Sequence, residues 1–235
     1  MASRERAQAL IIAGKVLVNE QKVDKPGTQV ADDVVLRLLG EDLKYVSRGG
    51  LKLEQALAHW NIDVKGKICF DVGSSTGGFT DCLLQHGAAK VIAVDTGYGQ
   101  MDFALRQDSR VRLLEKTNAR FLTAEAVSEM ADLVVVDVAF ISATLVLPAV
   151  VNAVFPSSID QREGKQIIVL VKPQFEAGRE FVGKGGIVRD EAAQLGSIEK
   201  VKRTLMELGC ARLEVIDSPI LGAEGNREFL LFGAY

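Results

Sequence analysis

An α/β fold built on a doubly wound, mostly parallel sheet is what these 235 residues predict, and three observations carry the prediction. Apolar runs of strand length, such as 68–72, 133–136 and 167–171, alternate with segments of helical length. Several of them stop at a glycine or an ionisable residue, namely Gly73, Asp95, Asp137 and Lys172. The composition, 48% hydrophobic and 25% charged, is that of an ordinary globular chain.

Each element follows in order. Residues 4–14 place Ala7, Leu10 and Ile11 at helical spacing and end at Gly14, a residue suited to a helix C-cap. Residues 15–19 read as a short strand, Asn19-Glu20 as a turn, 22–25 as a second extended piece and Pro26-Gly27 as another turn. Residues 1–43 form a small domain with little core of its own, 44–46 a linker and 47–235 the main domain. In the latter, strands are expected at 68–72, 91–95, 133–137, 167–171, 212–218 and 228–233, with helices at 79–86, 142–155 and 191–208. Ligands of such sheets bind beyond the carboxyl ends of the strands, where strand order reverses.

Composition excludes several classes. Twenty-eight basic against 31 acidic residues give a net charge of −3, which rules out a wholesale basic coat but not a local patch. Residues 1–30 carry five basic residues (Arg4, Arg6, Lys15, Lys22, Lys25) and three acidic ones, a modest patch. No apolar run approaches bilayer length, and no secretory signal opens the chain, so it reads as a cytoplasmic protein with no membrane partner. Cys69, Cys82 and Cys210 lack CxxC spacing, which points to buried apolar residues rather than a zinc site or disulfides; no metal is expected.

The first main-domain strand runs into Asp71-Val72-Gly73-Ser74-Ser75-Thr76-Gly77-Gly78-Phe79. Small residues let a backbone approach a ligand, and the helix that follows offers free N–H groups. A dinucleotide-binding GxGxxG would need glycine where Ser75 stands, which argues against NAD or FAD. Asp95 ends the next strand, where a carboxylate can accept two ribose hydroxyls. Together they suit S-adenosylmethionine, which has a ribose and a cation but no phosphate; the alternative is a tight strand-to-helix turn with Asp95 as a cap. Residues 178–185 satisfy GxxxxGK but lack the Ser or Thr that holds magnesium, and read as a mobile loop near the active site.

Four ionisable residues stand at positions that suggest chemistry. Lys52 follows Ser47-Arg48-Gly49-Gly50-Leu51 at a helix start, Asp137 and Lys172 end successive strands, and Glu228 opens the last strand. Asp137 and Lys172 must emerge near one another at the binding edge; the alternative for each residue alone is a surface charge.

The segments SRGGLKL, DVGSSTGGFTD, VDTGYGQ, VVVDVAFIS, VKPQFE, VGKGGIVRD and GNREFLL occur in that order across residues 47–232. In them the main domain resembles FtsJ-type ribose 2′-O-methyltransferases, and the chain as a whole resembles the TlyA family, often labelled haemolysin A. The resemblance implies a Rossmann-like, S-adenosylmethionine-dependent methyltransferase fold with a seven-stranded sheet, acting on cytidine ribose of rRNA in ribosomal subunits. By motif, Lys52, Asp137, Lys172 and Glu228 match a Lys-Asp-Lys-Glu tetrad. Gly73, Ser74, Ser75, Thr76, Gly77, Gly78, Phe79, Asp95, Asn118 and Asp137 match the cofactor site. The segment SRERAQALIIAGKVLVNEQKVDKPGTQV is similar to the RNA-binding domain of ribosomal protein S-four type, which implicates Arg4, Arg6 and Lys15 in RNA contact. That family carries a further helix before SRERA, so a shortened domain is expected.

Methyl transfer from a sulfonium is an in-line displacement that alignment accelerates. Lys172 is expected to serve as the base or as a group that steers the hydroxyl oxygen. The rival readings are a non-catalytic RNA-binding protein and a haemolysin.

Overall fold

The structure, a computed structural model, describes residues 4–39 and 44–235, apart from the side chains of Glu5, Arg6 and Ala223. The chain divides into two compact units, Met1–Leu43 and Lys44–Tyr235.

The smaller unit has helix α1 (Arg4–Ile12) and strands β1 (Val16–Val18), β2 (Gln21–Val23) and β3 (Leu36–Leu38), in an antiparallel sheet of order β2-β1-β3. Gly14 follows the helix at φ +63°, the left-handed conformation expected of a C-terminal glycine. Among its described residues only Val16 and Leu17 are buried apolar side chains, which agrees with the small core expected. Strand β3 was not anticipated. It is an exposed edge of only three residues, Leu36-Arg37-Leu38, whose central Arg37 pairs with Glu20, too short for its alternation to stand out.

In the larger unit come α2 (Gly49–His59), β4 (Ile68–Val72), α3 (Gly78–Gln85), β5 (Lys90–Val94), α4 (Phe103–Gln107), β6 (Val111–Leu114), α5 (Ala124–Val127) and β7 (Leu133–Val136). They are followed by α6 (Leu147–Val154), β8 (Gln166–Val171), α7 (Pro173–Glu176), α8 (Glu191–Glu207), β9 (Arg212–Asp217) and β10 (Phe229–Ala234). The sheet order is β6-β5-β4-β7-β8-β10-β9. Strands β4 to β8 pair in parallel, while β10 is antiparallel to both its neighbours.

Because side chains alternate across a strand, the central strands feed two cores. Phe70, Val72, Val134, Val136, Ile167 and Val169 join Leu147, Val150, Val201 and Leu205 of α6 and α8 on one face. Cys69, Leu133, Val135, Ile168 and Leu170 join Leu53, Leu57 and Leu83 of α2 and α3 on the other. Tyr45 belongs to this second core, so the expected linker 44–46 is part of the larger unit. Trp60 is held there by stacking on Phe232, with centroids 5.2 Å apart, and by donating to Glu214 Oε2 at 3.0 Å. The three cysteines are buried and free, and burial pushes the Cys69 and Cys82 thiols up to about 12.

Two expectations need correction. The helix placed at 142–155 starts at Leu147, since Pro148 suits a first turn and residues 143–145 form a separate short turn capped by Ser142. Strand β6 was missed because Arg112 interrupts its four residues; at the sheet edge that guanidinium reaches the Ala126 carbonyl at 3.1 Å.

Candidate active site

Strand order reverses between β4 and β7, and the chain is tightest there. Asp137 N donates to Val72 O at 2.8 Å and Gly73 N to Val94 O at 2.8 Å, which carries the ladders one residue past the strands. Gly73 has φ +84°, and a Cβ on it would lie 2.4 Å from the Asp137 carbonyl oxygen. Only glycine fits at that crossing.

Two cavities open from this point. The larger, about 450 Å³, lies over the ends of β4, β5 and β7 and is lined by Gly73, Ser75, Asp95, Asn118, Asp137 and Phe140, among others. Asp95 Oδ2 accepts Ser75 N at 2.8 Å and Oδ1 accepts Gly97 N at 2.7 Å. These bonds orient the carboxylate, and each oxygen keeps a lone pair for a hydroxyl. Asn118 spends its Oδ1 on Arg120 N at 3.0 Å, and among the described residues its amide NH₂ has no protein partner. The smaller cavity, about 230 Å³, is lined by Ser47, Arg48, Lys52, Ser74, Thr76 and Asp137, with Gly49, Gly78, Phe79 and Gly222 beside them. Helices α2 and α3 both begin here without a side-chain cap, and the buried Ser74 Oγ has no hydrogen-bond partner among the described residues. A polar or anionic ligand group would satisfy such donors.

The four ionisable candidates meet as two ion pairs. Lys172 Nζ lies 2.6 Å from Asp137 Oδ1, and Lys52 Nζ lies 2.5 Å from Glu228 Oε2. Asp137 lines both cavities and Lys52 the smaller one; Lys172 and Glu228 reach the site through these partners. Glu228 is pressed against the 220–222 loop, where a Cβ on Gly222 would fall 2.1 Å from its Oε1.

Of the expected cofactor residues, Gly77 lines neither cavity; at φ +96° it packs against Leu105 and shapes the turn into α3. Arg4 and Lys15 are exposed on the smaller unit, whereas the Arg6 side chain lies outside the described residues. The 178–185 loop lines neither cavity; Asn226 holds its neighbourhood by accepting from Val188 N at 3.1 Å and donating to Gly186 O at 2.9 Å. No group of three or more His, Cys, Asp or Glu side chains able to hold a metal occurs among the described residues.

Three site features escaped the sequence reading. Gly222 and Arg48 were passed over, although Arg48 stands inside a quoted motif. Phe140 is 94% exposed with φ +64°, rare for a bulky residue, and it borders the larger cavity three residues after Asp137. An aromatic residue just past a polar strand end was the available signal.

Asp71, also unanticipated, is wholly buried beneath α3, where its Oδ2 accepts from Thr80 Oγ1 at 2.6 Å and its Oδ1 has no partner among the described residues. Burial pushes its carboxyl up to about 7, with Asp137 and Asp95 adding to the rise against the Thr80 bond. The folded state therefore holds this proton more tightly than the unfolded chain. Its contribution to stability is complete below the ordinary carboxylate range and is lost as pH rises toward 7. Urea unfolding of Asp71→Asn across that window should show a shallower decline than wild type, by up to about 1.4 kcal/mol per pH unit. Identical slopes would mean that Asp71 ionises normally.

A parallel sheet with one reversed strand near its edge, a glycine turn at the switch point and a carboxylate after the adjoining strand define a methyltransferase fold. An FtsJ-like methyltransferase profile matches residues 45–235, and an S4 domain profile matches residues 1–36. The chain is 46% identical over 231 residues to the 16S/23S rRNA (cytidine-2′-O)-methyltransferase TlyA of Mycobacterium tuberculosis, covering 98% of this chain and 84% of the relative. It is 40% identical to Hemolysin A of Brachyspira hyodysenteriae, covering 97% of this chain and 92% of the relative. The solved structure of a hemolysin-named protein from Streptococcus thermophilus superposes with a TM-score of 0.76 at 42% identity, covering 100% of this chain and 84% of that one. The chain belongs to the FtsJ-like methyltransferase family, within its TlyA group, and carries an S4 domain at its N-terminus.

Proposed function

We propose that this protein transfers a methyl group from S-adenosylmethionine to the 2′-hydroxyl of a cytidine ribose in rRNA, within ribosomal subunits of the cytoplasm. The observation that carries the reading is the meeting of two lysine–carboxylate pairs where a nucleoside-sized cleft adjoins a small polar cavity. The rRNA and the cytidine come from the resemblance to the M. tuberculosis enzyme.

The cavities fit the cofactor end to end. Asp95 would hold the ribose hydroxyls and Asn118 the base edge, with Val72, Val94 and Ile141 as apolar walls. Ser74, Arg48 and the uncapped starts of α2 and α3 would hold the charged aminocarboxylate. When bound, S-adenosylmethionine supplies an activated methyl on a sulfonium. The protein's task is to aim the hydroxyl oxygen at that carbon, since alignment provides much of the rate. Lys172, in contact with the Asp137 carboxylate, presents N–H donors to an oxygen entering beside Asp137, which suits steering and charge stabilisation rather than proton removal. Lys52, fixed by Glu228, adds positive potential from the other side.

An aromatic and basic rim supports a nucleic-acid substrate. Tyr98, Phe121 and Phe140 are exposed, Lys116 Nζ sits 4.5 Å over the Tyr98 ring and the Arg120 guanidinium 5.7 Å from the Phe121 ring. Such a surface stacks unpaired bases and contacts phosphates. On the smaller unit Arg4 and Lys15 offer further phosphate contacts. The hemolysin name of two relatives points to membranes, yet no helix among the described residues is long and apolar enough to cross one.

The test is transfer of tritiated methyl from S-adenosylmethionine to purified ribosomal subunits, followed by mapping of alkali-resistant 2′-O-methyl positions. A new 2′-O-methylcytidine is expected. Methyl recovered on a base, or none on rRNA while the cofactor binds, would overturn the assignment.

A further inference from the structure

The segment that follows β7 is joined to α7 at three successive points. Lys172 pairs with Asp137 at 2.6 Å. The Phe175 ring lies 5.5 Å from that of Phe140. Glu176, whose side chain is 2% exposed, accepts from Ser142 Oγ at 2.5 Å and from Ala143 N at 2.6 Å. Lys200 of α8 completes the third junction. Its Nζ donates to the Glu176 carbonyl at 3.0 Å and lies 3.4 Å from both Ser142 Oγ and Glu176 Oε2.

The first two junctions involve residues of the active site, whereas Glu176 lines neither of its cavities. A carboxylate nearly cut off from water needs a full set of partners, and here it has them from one loop and one lysine. The loop itself is strained: Phe140 holds φ +64° while projecting its ring into solvent. A bulky residue keeps that conformation when the surrounding structure over-determines it. The near end is fixed by the backbone, through Asp137 N on Val72 O. The far end is fixed by a side chain, through Ala143 N on Glu176 Oε1.

We infer that Glu176, braced by Lys200, is a positioning residue for methyl transfer. It clasps residues 137–143 to α7 so that Asp137 and Phe140 keep register with Lys172 and Phe175. The inference rests on the methyl-transfer reading for its catalytic consequence but not for the clasp itself. Loss of the clasp lets Phe140 relax and Asp137 drift from Lys172. The cofactor residues Gly73 and Asp95 stay in place because their bonds lie within the sheet edge. Asp137, Phe140 and Ile141 also line the cofactor cleft, so affinity weakens somewhat, but the alignment of the hydroxyl suffers far more.

The experiment compares full-length wild type, Glu176→Ala, Glu176→Gln and Lys200→Met. Amide hydrogen exchange, the rate of methyl transfer to ribosomal subunits and calorimetric affinity for S-adenosylhomocysteine are measured on each. In Glu176→Ala the amides of 138–143 should exchange faster while those of β7 and β8 do not. The turnover rate should fall by about 10²-fold, the scale expected of a roughly 1 Å misplacement. S-adenosylhomocysteine affinity should fall far less than turnover, because Gly73 and Asp95 hold their places. Glu176→Gln, which keeps a carbonyl for Ala143 N, should recover most of the rate, and Lys200→Met should shift exchange and turnover in the same direction by less. Wild-type exchange at 138–143 in Glu176→Ala would overturn the clasp. Parallel loss of turnover and affinity, with Glu176→Gln no better than Glu176→Ala, would reduce Glu176 to a fold residue and overturn the positioning role. If Glu176→Ala does not fold, Glu176→Gln and Lys200→Met decide, since unchanged exchange in both overturns the proposal. A wild type that transfers no methyl to rRNA would fault the functional reading alone, because the exchange data still judge the clasp.

Discussion

Lys172→Ala should lose methyl transfer by about 10³-fold, within the range for removing a group that acts on the reacting atoms, while still binding S-adenosylhomocysteine. The separation follows from placement. Lys172 lines neither cavity, so a bound cofactor loses little contact when the side chain is removed. Its ammonium stands 2.6 Å from Asp137 Oδ1, and Asp137 lies where the two cavities join. A hydroxyl brought to that junction lies beside Asp137, the partner of the Lys172 ammonium. Removing the amine also strips Asp137 of its counter-charge. Part of the loss then reflects a carboxylate that repels the developing charge on the hydroxyl oxygen. Lys172→Arg separates these contributions. It keeps the charge near Asp137 but moves the donors, so it should restore stability without restoring more than a small fraction of the rate. Single-turnover transfer to ribosomal subunits and calorimetry with S-adenosylhomocysteine read the two quantities. Turnover of Lys172→Ala within tenfold of wild type would remove Lys172 from the reaction.

That pair also marks how far the sequence could be read. Parallel neighbouring strands end at the same sheet edge, so the approach of Asp137 and Lys172 followed from topology once β7 and β8 were recognised by their apolar runs. Asp95 and Gly73 were legible for the same reason. Lys52 and Glu228 were not open to that argument, because 176 residues separate them and neither ends a parallel strand. Position marked each of them as a candidate, but only the resemblance put them in one site; the antiparallel insertion of β10 between β8 and β9 accounts for their meeting in space. Edge elements fared worst. Strand β3 alternates over only three residues, and β6 carries Arg112 without clean alternation, since an edge need not be apolar on both faces. Glu176 and Asp71 could not be distinguished from exposed acids. Burial of a single carboxylate depends on what a distant loop or helix places over it, which no local pattern records.

Glu228→Ala is expected to destabilise the larger unit by about 3–5 kcal/mol, more than most single substitutions. Lys52 and Glu228 side chains are only 10% and 2% exposed, and their 2.5 Å contact is the principal compensation for desolvating both charges. Removing the acid leaves a largely buried ammonium beside Gly222 and the start of α2 without its counter-charge. Removing both charges should cost far less, because the pair's desolvation disappears with the pair. The double variant Lys52→Met/Glu228→Gln should therefore recover most of the stability lost in Glu228→Ala. It should not recover methyl transfer, which needs the positive potential of Lys52 beside Asp137. Trp60, the chain's one tryptophan, lies in this core against Phe232, so its fluorescence during urea unfolding reports the larger unit of the intact chain. Active double variants would show that the pair serves only the fold. A Glu228→Ala protein within 1 kcal/mol of wild type would show that water reaches Lys52 and that the two charges are not enclosed together.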